Sequence, residues 1–274
     1  MAKPTMPAGL GPHSLVRAAG ARLLSARLAD ARKYEAALMH GIPVEPVHDT
    51  RVALRRLRAA LALLGNAPLR ELEPAVKELQ DALGGVRDVQ LQIAWLSRRS
   101  GALAARRRAV LPAAVVALQQ ALDVWRSRTV MEIAAAIPWL DRSGRLGGPR
   151  IRRVLRKRLS TVEDRLLATV ENPDALTAHR LRIGVKKLRY FIELTEPALP
   201  GVGGEMLAEL EPMQERLGEL HDADVRTGLL EELGAHALRK REEQHRAALA
   251  KRLEAELGRW REEKLVKRFR QRLA

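Results

Sequence analysis

Apolar residues recur at helical spacing along nearly the whole chain. Leu54, Leu57, Leu61 and Leu64 follow at intervals of three and four, as do Leu181, Val185, Leu188 and Ile192. No run alternates apolar and polar residues with β-branched enrichment, so the pattern predicts an all-α fold. Turns are signalled by Gly41-Ile42-Pro43, the stretch from Gly65 to Pro68, Asn172-Pro173-Asp174 and Pro200-Gly201. Between them the periodicity predicts helices over 12–40, 48–65 and 69–84, with a long basic segment over 88–136. Beyond the middle it predicts helices over 149–171, 176–196, 204–219 and 223–272. The Gly-rich stretch 141–148 reads as a linker. The expected organisation is a flexible N-terminus (1–11), a first helical repeat (12–140), the linker (141–148) and a second helical repeat (149–272).

The halves resemble each other in detail. His48-x-x-Arg51-x-x-x-Arg55-Arg56-x-Arg58 aligns without gaps on His179-x-x-Arg182-x-x-x-Lys186-Lys187-x-Arg189. A second motif follows each copy, Leu83-Gly84-x-x-Arg87-Asp88 and then Leu217-Gly218-x-x-His221-Asp222. Two motifs in the same order at nearly equal spacing predict an internal duplication of one helical unit. With about four helices per unit and short connections, the expectation is two antiparallel four-helix bundles related by a pseudo-twofold axis.

Charge then narrows the function. The 274 residues carry 49 Lys and Arg against 33 Asp and Glu, a formal net charge of +16. Through position 140 there are 20 basic and 11 acidic residues, and beyond it 29 and 22, so both halves share the excess. Such a field recruits polyanions. Only eight residues are Trp, Tyr or Phe, few for the stacking platforms on which single-strand nucleic-acid binders depend. A ligand with phosphates but no bases fits better. The absence of cysteine excludes disulfides, thiolate metal sites and a thiol nucleophile, and agrees with a cytoplasmic location. The longest apolar stretch, Ala109 to Leu118, is far short of the roughly 20 residues that span a bilayer. The Pro- and Gly-containing start lacks the apolar run of a signal peptide.

At about 100° per residue, His48, Arg51, Arg55 and Arg58 fall near 0°, 300°, 340° and 280°, a narrow stripe opposite the leucines. His179, Arg182, Lys186 and Arg189 repeat it. Each stripe runs roughly 15 Å along its helix, the scale of an extended polyanion. A basic stripe is ordinarily a solvated helix face. Exposed helices usually intersperse Glu with Lys, however, and neither stripe contains an acid. Arg forks suit phosphate oxygens, Lys adds a point charge, and His donates when neutral and becomes cationic beside phosphate.

The doubled motif resembles the CHAD family, the conserved histidine α-helical domain, over roughly residues 12–265. That resemblance implies two pseudo-symmetric four-helix bundles around a basic central groove or pore. It also implies non-enzymatic binding of inorganic polyphosphate and association with polyphosphate granules. Carried onto this sequence, it makes His48, Arg51, Arg55, Arg56, Arg58, His179, Arg182, Lys186, Lys187 and Arg189 the anion ligands. Arg56 and Lys187 lie off the stripe and rank lower. Arg22 and Arg158, at similar places in the first helix of each unit, are candidates to extend the site. Arg180 stands opposite Asp49, so Asp49 has no shared role. CHAD domains are often fused to a triphosphate-tunnel domain marked by Glu-x-Glu-x-Lys, and this sequence has no such motif. A stand-alone binding module is expected, with no catalytic residue, metal or cofactor.

Two other functions compete, nucleic-acid binding through backbone charge alone and metal-dependent polyphosphate hydrolysis. The second would draw on His221-Asp222-Ala223-Asp224. Arg87 in place of His221 argues against a shared metal site, and Gly84, Gly218, Asp88 and Asp222 read as helix caps. His13, His40, His236 and His245 read as surface residues. Trp95, Trp125, Trp139, Trp260 and Phe269 read as core. The segment 239–272, mixing Arg and Lys with Glu, reads as a long salt-bridged helix.

Overall fold

A computed structural model describes residues 3–274. It is helical throughout, without a named strand among the described residues. The chain divides into two compact units, the second beginning at Gly147.

The first unit contains α1 (Val16–Arg32), α2 (Glu35–Met39), α3 (Val44–Leu64), α4 (Ala67–Glu71), α5 (Glu73–Ser97), α6 (Gly101–Arg108), α7 (Leu111–Val124) and α8 (Val130–Ala136). Helix α3 packs against α1 and α5, and α5 against α6 and α7. Helix α3 starts after Pro43 and stops at Gly65, where the chain turns extended. Its Leu54, Leu57, Leu61 and Leu64 are fully buried, each stabilising the unit by about 1.5–3 kcal/mol. A π-helical turn over Trp125–Thr129 joins α7 to α8, with the Val130 amide donating to the Trp125 carbonyl. Trp125 is buried, and its indole N–H donates to Glu35 Oε1 at 2.7 Å.

The second unit contains α9 (Pro149–Glu171), α10 (Ala175–Thr195), α11 (Gly203–Glu232), α12 (His236–Glu262) and α13 (Leu265–Arg272). Helices α9 to α12 pack in sequence, and α12 returns to α9. Arg259 ties α12 to Glu209 of α11 while also bonding Glu256. Helix α10 is capped by Asp174, whose carboxylate accepts from the Thr177 amide at 2.7 Å. That backbone bond, followed by the Thr177 hydroxyl, holds the Asp174 carboxyl below its ordinary value. A lowered carboxyl contributes stability above its unfolded pKa, and the contribution is lost as pH falls through the folded value. Asp174→Asn keeps a capping acceptor that cannot titrate. Urea midpoints should therefore fall less steeply in the variant than in the native protein below about pH 4. Equal slopes would mean that the cap does not titrate.

Helix ends depart from expectation where glycine misleads. Gly84 and Gly218 are not caps, and Asp88 and Asp222 do not begin helices. All four lie inside α5 and α11, which run unbroken to Ser97 and Glu232. The breaks come later. Ser100 caps α6 by accepting from the Leu103 amide, and Gly234 takes a positive φ of 68° after α11. The predicted helix 12–40 begins at Val16 and breaks after Arg32. The predicted C-terminal helix breaks at Lys264, whose φ is 50°. Trp139 is not core but 80% exposed, because the chain leaves the short 3₁₀ turn Ile137–Trp139 with Leu140 turned inward instead. Trp125, Trp260 and Phe269 are buried, Trp95 is half-buried, and the four isolated histidines are exposed.

Of the stretch 1–11 read as flexible, residues 1–2 lie outside the described residues. Thr5 bonds the Asp30 carboxylate through its amide at 3.0 Å and its hydroxyl at 2.6 Å. Its carbonyl accepts from the buried Arg27 at 2.8 Å. In the stretch read as linker, the Val16 amide donates to Gly144 O, and Leu146 donates to Ser14 O.

Candidate functional site

The first motif falls on α3 and α10, two helices of 21 residues each. In the first unit His48 is half-buried, and its Nδ1–H donates to Asp49 Oδ1 at 3.0 Å. Tyr34 donates its hydroxyl to the other oxygen at 3.3 Å. Burial works to raise the Asp49 carboxyl, but the His48 bond and charge, with the Tyr34 bond, hold it below its ordinary value. Asp49 therefore orients the imidazole through the ring nitrogen facing it.

Arg51 lies against α5 at Gly84. A methyl group placed on Gly84 would stand 3.3 Å from Arg51 Nη2 and 3.4 Å from Nε. Glycine at this point of the second motif makes room for the guanidinium of the first. Arg55 is half-buried and makes no hydrogen bond or ion pair with a described residue. Arg56 is 8% exposed. Arg58 is committed to α5, with Nε donating to Glu73 Oε1 at 2.5 Å and Nη1 to Gln80 Oε1 at 3.0 Å. Arg22 donates to the Ala8 carbonyl at 2.6 Å.

The second unit brings its two motifs together through histidine. The rings of His179 on α10 and His221 on α11 lie 5.1 Å apart, tilted by 39°. Arg182 and Lys186 are half-buried, while Lys187 is exposed, unlike its counterpart Arg56. Arg189 pairs with Glu193 one turn on, at 3.4 Å. Arg158 sits over the Phe191 ring at 5.0 Å.

The stripes themselves contain no acid, but among the described residues Asp49 pairs with His48, Glu73 with Arg58 and Glu193 with Arg189. Their carboxylates orient one histidine and two terminal arginines. Reasoning from sequence missed the part played by the second motif, which contributes Gly84 beneath Arg51 and His221 beside His179. Its fixed distance from the first motif was the available signal. Sequence reasoning also passed over the N-terminal half of α9, where Arg150, Arg153 and Lys157 are exposed and their side chains make no hydrogen bond or ion pair with a described residue. No group of three or more His, Asp or Glu among the described residues could hold a metal ion.

The family model for the CHAD domain matches residues 22–231. The crystal structure of the CHAD domain from the plant Ricinus communis is similar over 99% of this chain and 96% of that one, with 25% identity and a TM-score of 0.70. No curated protein matches this chain.

Proposed function

Because this chain belongs to the CHAD domain family, which is associated with polyphosphate and triphosphate binding, we propose that it binds inorganic polyphosphate and leaves the polymer chemically unchanged. The ligands are the cations of α3 and α10, above all Arg51, Arg55, Arg182 and Lys186, with His48 and His179 donating beside them. Arg58 and Arg189 hold the ends of the stripes in place through their carboxylate partners, and Arg56, Lys187, Arg22 and Arg158 contribute less. The observation that carries this reading is the commitment of the second motif to the first. Gly84 is left bare so that a guanidinium can lie on α5, and His221 meets His179. Helix interiors give up stability for a glycine, so an open seat for Arg51 supports a role beyond packing.

Polyphosphate carries about one charge per unit, so affinity should fall steeply with salt as counterions are released. On the same reading, the protein resides in the cytoplasm at polyphosphate granules. Among the described residues, no helix is long and apolar enough to cross a membrane.

Competition tests the ligand. Long-chain polyphosphate is expected to displace labelled duplex DNA at a far lower phosphate concentration than DNA displaces polyphosphate. The reverse order would favour a nucleic-acid backbone as ligand. Phosphate release in the presence of Mg²⁺ or Mn²⁺, lost on changing Asp222, would make the protein a hydrolase instead.

Gly84→Ala separates stability from binding. Alanine within α5 is expected to raise stability by up to about 1 kcal/mol. Its methyl group pushes the Arg51 guanidinium aside and weakens polyphosphate binding several-fold. Unfolding curves and titrations on the same variant check both signs. A stabilised protein with native affinity would remove Arg51 from the site.

A further inference from the structure

The second unit holds a cavity of about 420 Å³ where the end of α9 and the start of α10 face α12. Small-molecule sites commonly have about 300–1,000 Å³. No residue of either motif stripe lines this one.

The sequence of α12 creates the space. Leu253 and Leu257 face it and continue into the core, each 4% exposed. Ala250 and Gly258, on the same side, carry too little side chain to fill the volume beside them. A methyl group added to Gly258 would meet nothing within 4 Å. Leu220 and Ala178 extend the apolar floor. A glycine inside a 27-residue helix weakens it relative to alanine, and here it keeps a cavity open.

The rim is charged. Arg246 is tied to Asp224, and Asp174 is engaged in capping α10. Lys251 and Arg261 are exposed, and their side chains make no hydrogen bond or ion pair with a described residue. Glu254 is the remaining carboxylate. Two uncommitted cations against one carboxylate leave a positive mouth over an apolar floor.

We propose that this cavity binds a small amphiphilic anion, a phosphomonoester or carboxylate bearing an apolar tail. The tail lies on Leu220, Leu253 and Leu257, and the headgroup meets Lys251 and Arg261. Inorganic polyphosphate has no apolar part to place on that floor, so this ligand differs from the one assigned to α3 and α10.

Fluorescence titration with 8-anilinonaphthalene-1-sulfonate, an aromatic anion, tests the proposal. One site per chain is expected, displaced by octyl phosphate or octanoate. Inorganic phosphate and octanol at the same concentration should leave the probe bound. Whichever amphiphile displaces at lower concentration identifies the headgroup. Gly258→Leu, which fills the cavity, should weaken the probe at least tenfold with helicity retained. Lys251→Ala combined with Arg261→Ala changes only exposed side chains and should have a similar effect. Displacement by inorganic phosphate alone, or native probe affinity in either variant, would overturn the proposal.

Discussion

Replacing Arg51, Arg55, Arg182 and Lys186 together by Glu is expected to abolish polyphosphate binding while leaving helical content unchanged. A hydrogen bond to a charged group contributes about 1.5–3 kcal/mol. Removing four such bonds costs more than about 6 kcal/mol, over four orders of magnitude in affinity. The new carboxylates then repel the polymer. Calorimetric titration at two salt concentrations, with circular dichroism as the control, reads both effects. Arg55→Glu alone is the cleanest arm, because Arg55 makes no hydrogen bond or ion pair with a described residue. It should weaken binding about tenfold, the worth of one charge-assisted bond to phosphate. Arg58→Glu would mix two effects, since it also breaks the clamp onto Glu73 and Gln80. Native affinity in the fourfold variant would move the ligands elsewhere, with the exposed cations of α9 next to be tested.

The largest expected loss of stability comes from Trp125. Its side chain is 1% exposed and fixes the α7–α8 segment to Glu35. Trp125→Ala is expected to cost about 3–5 kcal/mol, from the cavity and the lost transfer energy together. For a chain of this size that lowers Tm by roughly 10 °C. Trp125→Phe keeps most of the ring but removes the indole donor from Glu35, which retains Arg32 Nε at 3.2 Å, so it should cost about 1.5–3 kcal/mol, the range of a bond to a charged acceptor. Thermal and urea unfolding measure both. A cost under about 1 kcal/mol for the alanine variant would show that the indole contributes little to the core.

Much of the architecture was legible because strong punctuation stands at the element ends. Pro149 opens α9, Asn172-Pro173-Asp174 separates α9 from α10, and Gly65 stops α3, each within a residue or two of expectation. The leucine periodicity marked the buried faces of α3 and α10 for the same reason, since burial acts on the 3.6-residue repeat directly. Gly84 misleads because a glycine that makes room for a neighbour looks, in one dimension, like a glycine that ends a helix, whereas a methyl group on Gly218 would meet nothing within 4 Å. The stripes were legible as geometry on single helices. Their partners were not, because Glu73 reaches Arg58 from another helix and the meeting of His179 with His221 joins two separate segments of the chain. Trp139 was misplaced because size suggested burial, whereas a short turn gave the inward position to Leu140.

The wide turn at Trp125–Thr129 gives this segment a tolerance of length that its neighbours lack. An α-helix advances about 100° per residue, and the bond from the Val130 amide to the Trp125 carbonyl takes one residue more into the turn than an α-helical bond does. Deleting one residue here should close the turn to ordinary geometry and leave Val130 and Ile133 buried on α8. The same deletion within α7 would rotate everything downstream by that angle, so changes of length should be tolerated during evolution at this turn rather than in the helix before it.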